Sequence, residues 1–175
     1  MAESRLKTAL HYIIYKAQLE GKLLGSVRLN KILFCADAAA FDQTFKFITN
    51  ATYIKRPCGP MIKDFQLFID ELKAANFITE TFQETYTHDI RAYTSLFTPD
   101  MTAFSPEEIQ LLDKFTQEIC DEPAEDAIIK THNNIWKIGE MDEPLPVAGY
   151  FTSEILPVTD VDFSEMSKLL ASHSK

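Results

Sequence analysis

The sequence predicts a mainly α-helical α+β domain with about six helices and a small antiparallel β-sheet. Three observations support this class. Apolar residues recur at helical spacing in several segments, beginning with Leu6, Leu10 and Ile13. One later segment alternates in the manner of a β-hairpin. The 175 residues, 46% hydrophobic and 25% charged, have the size and composition of a globular domain, so we expect residues 1–175 to form one domain.

The first two helices are predicted over residues 4–20 and from Ser26 to the region 41–44. Gly21 follows the first apolar pattern and is expected to end that helix. The second helix presents one apolar stripe, made of Leu29, Ile32, Leu33 and Ala36.

A short strand is predicted over residues 51–55, and Pro57 ends it. We interpret Gly59 and Pro60 as the start of a third helix, because proline is favoured at the first helical position. The apolar residues that follow at helical spacing are Phe65, Phe68, Ile69 and Leu72. Asn76 is expected to end this helix.

A β-hairpin is predicted over residues 78–97, with a turn at His88 and Asp89. One side of its first strand consists of Ile78, Glu80, Phe82, Glu84 and Tyr86. Next comes a capping box, in which Ser105 caps a helix beginning at Pro106 and Glu108 bonds back to the cap. The buried face of that helix is predicted to contain Ile109, Leu112, Phe115 and Ile119.

The last third of the chain is predicted to be less regular. A helix is expected from Pro123 to about His132, followed by a proline-containing irregular segment near residue 140. A short final helix, capped by Asp162, is expected to end near Leu170.

Charge and residue usage limit the classes of function. The net charge is −9 and the pI about 4.9, and no cationic cluster exceeds Lys55-Arg56, so nucleic-acid binding is disfavoured. A basic protein partner suits this charge better. The chain shows no signal sequence and no membrane-spanning run, which predicts a cytoplasmic protein.

Metal and cofactor sites are not predicted either. The three cysteines, Cys35, Cys58 and Cys120, are too widely spaced for a zinc motif or a disulfide framework, and they fit a reducing compartment. The four histidines are dispersed, and the five glycines form no phosphate-binding loop. We therefore expect no cofactor and no metal.

Cys58 offers an enzymatic alternative. Its position beside Lys55 and Arg56, near the predicted start of a helix, would favour a thiolate nucleophile. A cysteine-dependent hydrolase would also need a base, which His11, His88 or His132 could provide. The competing interpretation is that Arg56-Pro57-Cys58-Gly59-Pro60 is a turn between strand and helix, with Cys58 as a filler.

The only tryptophan, Trp136, follows His132 by four residues. Residues at this spacing are neighbours on a helix. A lone tryptophan is most often a core residue, although near a loop it can also anchor an interface.

Three stretches together resemble the Panacea domain, also described as the SocA-like antitoxin domain. Residues 28–37, RLNKILFCAD, are similar to the family's L-x-K-L-L-F-x-A-D helix. Residues 49–60, TNATYIKRPCGP, are similar to its x-G-A-x-Y-x-K-x-x-x-G-P segment. Ser105-Pro106-Glu107-Glu108 and the later His132 and Trp136 are similar to its E-E helix and H…W pair.

This sequence departs from the family pattern at two positions. Asn50 stands where many members have glycine, and asparagine also accepts a positive φ. Cys58 stands where many members carry an unreactive residue, which argues against a catalytic cysteine.

The resemblance implies a non-catalytic antitoxin that binds a cognate toxin protein directly. The alternative within the family is an adaptor that delivers its toxin to a protease. The candidate partner-binding residues are Lys55, Arg56, Pro57, Gly59, Pro60, His132 and Trp136. The residues expected to be structural are Leu29, Lys31, Asp37 and Tyr53, with Lys31 and Asp37 as a possible polar pair. The oligomeric state and the identity of the toxin stay open.

Overall fold

A computed structural model describes residues 2–84, 89–121 and 134–149. Its helices are α1 (Ala2–Leu19), α2 (Ser26–Thr44), α3 (Phe65–Ala74), α4 (Pro106–Asp121) and α5 (Asn134–Ile138), with a 3-10 turn at Val147–Gly149. Its strands are β1 (Tyr53–Arg56), β2 (Gly59–Ile62), β3 (Ile78–Glu84) and β4 (Asp89–Ser95). The predicted mainly helical α+β class is confirmed.

Helix α2 lies at the centre of the fold. Every residue from Leu29 to Ala40 is buried, so the helix is covered on all sides over this stretch. It packs mainly against α4 and β2, and also against the 3-10 turn and α1. Because the helix is surrounded, its polar residues must find partners inside the protein.

Several local predictions are confirmed. The capping box forms, with the Ser105 amide donating to Glu108 Oε2 at 2.8 Å and the Glu108 amide donating to Ser105 Oγ at 3.2 Å. Gly21 adopts a φ of 69° just after α1, and Asn76 adopts a φ of 58° just after α3. Asn50 has a φ of 56°, the left-handed conformation that the family's glycine would also favour.

The predicted helix start at Gly59-Pro60 is wrong. These residues begin strand β2, which pairs antiparallel with β1 so that Lys55 lies opposite Pro60. Gly59 has a φ of 113°, which favours glycine and closes the turn back onto β1. The third helix begins later, at Phe65, after Asp64 in the left-handed region.

The hairpin is confirmed, with Ile78 opposite Ser95 and Glu84 opposite Asp89. Asp89 is the first residue of β4 rather than part of the turn, and His88 lies outside the described residues. The hairpin and the β1–β2 pair form two separate two-stranded sheets.

The helix predicted after Pro123 and the final helix near Leu170 lie outside the described residues. Within the described ranges, none of the helices has the length and apolar character needed to cross a membrane.

Candidate functional site

The segment after α5 lies along the open edge of β1. The Lys55 amide donates to Glu143 O at 3.1 Å, and the Asp142 amide donates to Lys55 O at 3.1 Å. The Leu145 amide donates to Tyr53 O at 2.7 Å. These bonds cover a strand edge that would otherwise expose unpaired backbone groups.

Trp136 holds the two predicted contact regions together, although they are 80 residues apart in sequence. Its indole Nε1 donates to Arg56 O at 3.2 Å. The Lys55 ammonium lies 4.2 Å from the centroid of the Trp136 ring and also donates to Gly139 O at 3.0 Å. A cation over an aromatic face is attracted by the ring quadrupole. Lys55 is therefore held by its own protein and does not project freely.

Gly139, whose carbonyl oxygen accepts from Lys55, packs closely against Leu145. A Cβ atom at this position would lie 2.7 Å from Leu145 Cδ2, so a larger residue would displace the Leu145 side chain. The atom in the way is the end of a flexible side chain, so a larger residue here requires only that Leu145 move.

Arg56 is an exposed cation beside this cluster. Its guanidinium pairs with the Asp142 carboxylate at 2.9 Å, and both side chains are largely exposed. Pro57 and Cys58 beside it are exposed, as are the apolar side chains of Ile138 and Met141. We refer to Arg56, Pro57, Cys58, Ile138 and Met141 as the tip surface.

The other predicted contact residues have different positions. Gly59 and Pro60 are buried in β2, so they shape the turn and leave little surface for a partner. His132 lies outside the described residues. Sequence reasoning missed the exposed Ile138 at the end of α5, and it missed Met141 and Asp142, because only the pairing of residues 141–145 with β1 brings these two beside Lys55 and Arg56.

The four residues expected to be structural are all buried: Leu29, Lys31, Asp37 and Tyr53. The polar pair that the sequence suggested between Lys31 and Asp37 does not form. Asp37 instead accepts bonds from the Thr49 amide at 2.9 Å, the Tyr53 hydroxyl at 2.8 Å and the Thr49 hydroxyl. Burial raises the pKa of Asp37, and these hydrogen bonds oppose the rise. The carboxylate is thus occupied by neighbours other than Lys31.

The Lys31 amine has no hydrogen-bond partner among the described residues, although its side chain is 1% exposed. Burial lowers the pKa of Lys31 to about 8. A buried amine without a partner is costly, so over the described residues Lys31 is an unfavourable feature of this core.

One of the three histidines that could serve as the base of a Cys58 hydrolase is unsuited to that role. His11 is buried, and its Nε2 lies 2.8 Å from Ser95 Oγ, so this ring is already engaged away from the surface. Burial also lowers the pKa of His11. His88 and His132 lie outside the described residues. Over the described ranges, no group of three or more histidine, cysteine or acidic side chains is arranged to hold a metal ion.

The described residues thus define a small helical domain in which a tryptophan and a strand edge hold an exposed, partly apolar tip. The family model described as antitoxin SocA-like, Panacea domain, matches residues 29–137, which include most of α2, the β1–β2 turn and Trp136. The chain belongs to this SocA-like antitoxin family. Searches of curated proteins and of solved structures give no match.

Proposed function

We propose that this protein is an antitoxin that neutralises a cognate toxin by direct protein–protein binding, without catalysing a reaction. The observation that carries the proposal is membership of the SocA-like antitoxin family over residues 29–137. The toxin is expected to be encoded by an adjacent gene, as the family resemblance implies.

The tip surface is the contact that we propose for the toxin. Arginine beside exposed apolar side chains is a composition favoured at interface centres. Ile138 is 64% exposed and Met141 48% exposed, so both would bury apolar area on binding. The bonds of Trp136 and Lys55 hold this surface in place, which reduces the entropy lost when a partner binds.

The toxin is proposed to be basic overall, with a mixed surface where it meets Arg56. The net charge of −9 attracts cationic partners and speeds their association. The rate of association should therefore fall as salt is added.

The first experiment is co-expression of this protein with the product of the adjacent gene. The neighbour alone should arrest growth, and co-expression should restore growth and give a complex that co-purifies. Rescue without co-purification would refute direct binding. A toxin whose abundance falls during rescue, at constant mRNA, would instead favour the protease adaptor.

Cys58 provides a footprint of the interface. It is the exposed thiol among the three cysteines, whereas Cys35 and Cys120 are buried and serve as internal controls. Bound toxin should slow the reaction of Cys58 with a maleimide at least about tenfold if the tip is covered. Unchanged Cys58 labelling in a purified complex would place the interface elsewhere.

Substitutions then test the contact itself. The variant R56A/I138S/M141S should weaken toxin binding at least about tenfold, since it removes a cation and two apolar side chains from one surface. The matched control is L67S/K114A, which changes exposed side chains on α3 and α4. Equal affinity of both variants would refute the tip as the contact. The variant C58S should rescue growth fully, and loss of rescue without loss of binding would revive the hydrolase alternative.

A further inference from the structure

Three phenylalanines cluster where α2 ends. The Phe41 and Phe47 rings stack with centroids 4.6 Å apart, and Phe45 meets Phe41 edge to face at 6.0 Å. Phe45 is 80% exposed, although Phe41 and Phe47 below it are only half-exposed. The stacked rings of Phe41 and Phe47 therefore pack beneath the exposed ring of Phe45.

The backbone of Phe45 is strained. Five non-glycine residues in the described ranges have a positive φ, and the other four are asparagine or aspartate: Asn50, Asp64, Asn76 and Asp142. Those residue types accept the left-handed conformation, but a bulky side chain does not. Phe45 has a φ of 57° and serves as the C-cap of α2, a position at which glycine or asparagine is usual. An exposed, strained phenylalanine there calls for a reason other than stability.

The surroundings of Phe45 favour a cation. The carbonyl end of a helix carries a partial negative charge, and α2 has no basic residue in its last turn. Asp42 is exposed in that turn and forms no salt bridge with a described residue. Lys46 follows the turn and is a local charge that opposes a cation. The chain as a whole carries a net charge of −9.

We infer that Phe45 and the last turn of α2 bind an arginine side chain of a protein partner. A guanidinium stacks on an aromatic face and can also donate to a carboxylate such as Asp42 and to helix carbonyls. Lysine has a compact, strongly hydrated charge and would bind less well. The inference rests on the proposed function in supposing a protein partner, but it concerns a second surface.

The test uses a blocked tri-arginine peptide, titrated into the ¹⁵N-labelled protein and followed by NMR. Amide shifts should concentrate at residues 40–47, and tri-lysine should bind at least about threefold more weakly. F45L should weaken tri-arginine binding about three- to fivefold, because it keeps an apolar side chain but removes the ring. D42N should also weaken it at low salt.

The matched control is F82L. Phe82 is another exposed ring, but the guanidinium of Arg91 already lies 5.3 Å from its centroid. F82L should leave tri-arginine binding unchanged. If F45L binds as well as the wild type, or if the shifts do not concentrate at residues 40–47, the inference is wrong. If the amide signals of residues 40–47 shift when the protein concentration alone is raised, the surface is a self-association contact. That result would also overturn the inference.

The variant F45N separates binding from stability. Asparagine relieves the left-handed strain, so the melting temperature should rise by about 2–4 °C while tri-arginine binding weakens. A fall in melting temperature would mean that Phe45 is retained for packing, which contradicts the inference. The titration needs no toxin, so its failure and a failure of growth rescue are distinguishable.

Discussion

Lys31 and Asp37 lie six residues apart on α2 and are both almost completely buried, at 1% and 0% exposure. The Asp37 carboxylate accepts hydrogen bonds from Thr49 and Tyr53, whereas the Lys31 amine has no hydrogen-bond partner among the described residues. A buried charge is tolerable only when neighbours replace the lost water. Burial disfavours the charged form of both residues, but described neighbours offset this cost for Asp37 and not for Lys31, although the sequence motif places both on the same buried helix.

The difference shows what each residue contributes to the fold. Asp37 joins α2 to Thr49 and to β1, and through Tyr53 it fixes the strand whose edge carries the tip surface. Lys31 makes no comparable bond to a described residue, so these residues do not offset the cost of removing its amine from water. A protein that retains such a residue lies below its greatest possible stability.

The largest effect is expected from Asp37→Ala. Removing the carboxylate leaves the Tyr53 hydroxyl and the Thr49 amide without their acceptor, and this should lower the free energy of unfolding by about 3 kcal/mol. The change in the free energy of unfolding is measured by urea denaturation. Tyr53→Phe is the control and should cost only about 1 kcal/mol, because it removes a single bond. A loss below about 1 kcal/mol for Asp37→Ala would contradict the importance of the network.

Lys31→Met is expected to act in the opposite direction. Methionine has a similar length and no amine to desolvate, so the free energy of unfolding at pH 7 should rise by about 2 kcal/mol. The same denaturation experiment gives the value. A destabilised Lys31→Met variant would show that the amine is well satisfied in solution, and the contrast with Asp37 would fail.

The pH dependence of stability should separate the two residues further. The pKa of Lys31 is about 8 in the folded state, against about 10.4 for an unfolded chain, so the unfolded state holds more protons between these values. The stability of the wild type relative to Lys31→Met should therefore rise from about pH 8 to about pH 10. The effect should not exceed about 2 kcal/mol. A flat difference over this range would mean that the pKa of Lys31 is not lowered.

Asp37 should show the opposite slope at acid pH. Its pKa is raised on folding, so the native state holds more protons just above the ordinary value of about 4, and stability falls as pH rises through that window. Asp37→Asn cannot titrate and should lack this slope.

The smallest effect is expected at the surface. Arg56 and Asp142 form an ion pair with both side chains exposed to solvent, and such pairs contribute little. A double-mutant cycle with Arg56→Ala and Asp142→Ala should give a coupling energy of at most about 0.5 kcal/mol. A coupling above about 1 kcal/mol would show that exposed polar contacts stabilise this fold as strongly as a buried bond.

Structural features that depend on a few neighbouring residues were predicted correctly. The capping box at Ser105, the stop at Asn76 and the positive φ of Asn50 depend on local backbone chemistry, which residue type strongly limits. The Gly59-Pro60 pair was misread for the same reason. Glycine and proline punctuate both a helix start and a tight strand turn, and the local sequence does not distinguish them.

The candidate site was predicted in pieces. Lys55, Arg56 and Trp136 were recognised as separate regions, but not as parts of one cluster joined by a ring contact and an indole hydrogen bond. Their meeting depends on residues 141–145 pairing with β1, and such a non-local pairing leaves no spacing in the sequence. Ile138 and Met141 were missed with it.

The sequence by itself determined the helical class, the hairpin, the caps and the family, because these follow from periodicity, capping chemistry and ordered motifs. Only the tertiary structure decided which groups pair: Asp37 with Thr49 and Tyr53, Lys55 with Trp136, and Lys31 with no described partner. The physical reason is that periodicity sets which face of a helix is buried. The identity of the atoms opposite that face depends on chain segments far away in sequence, and these meet only when the whole core packs.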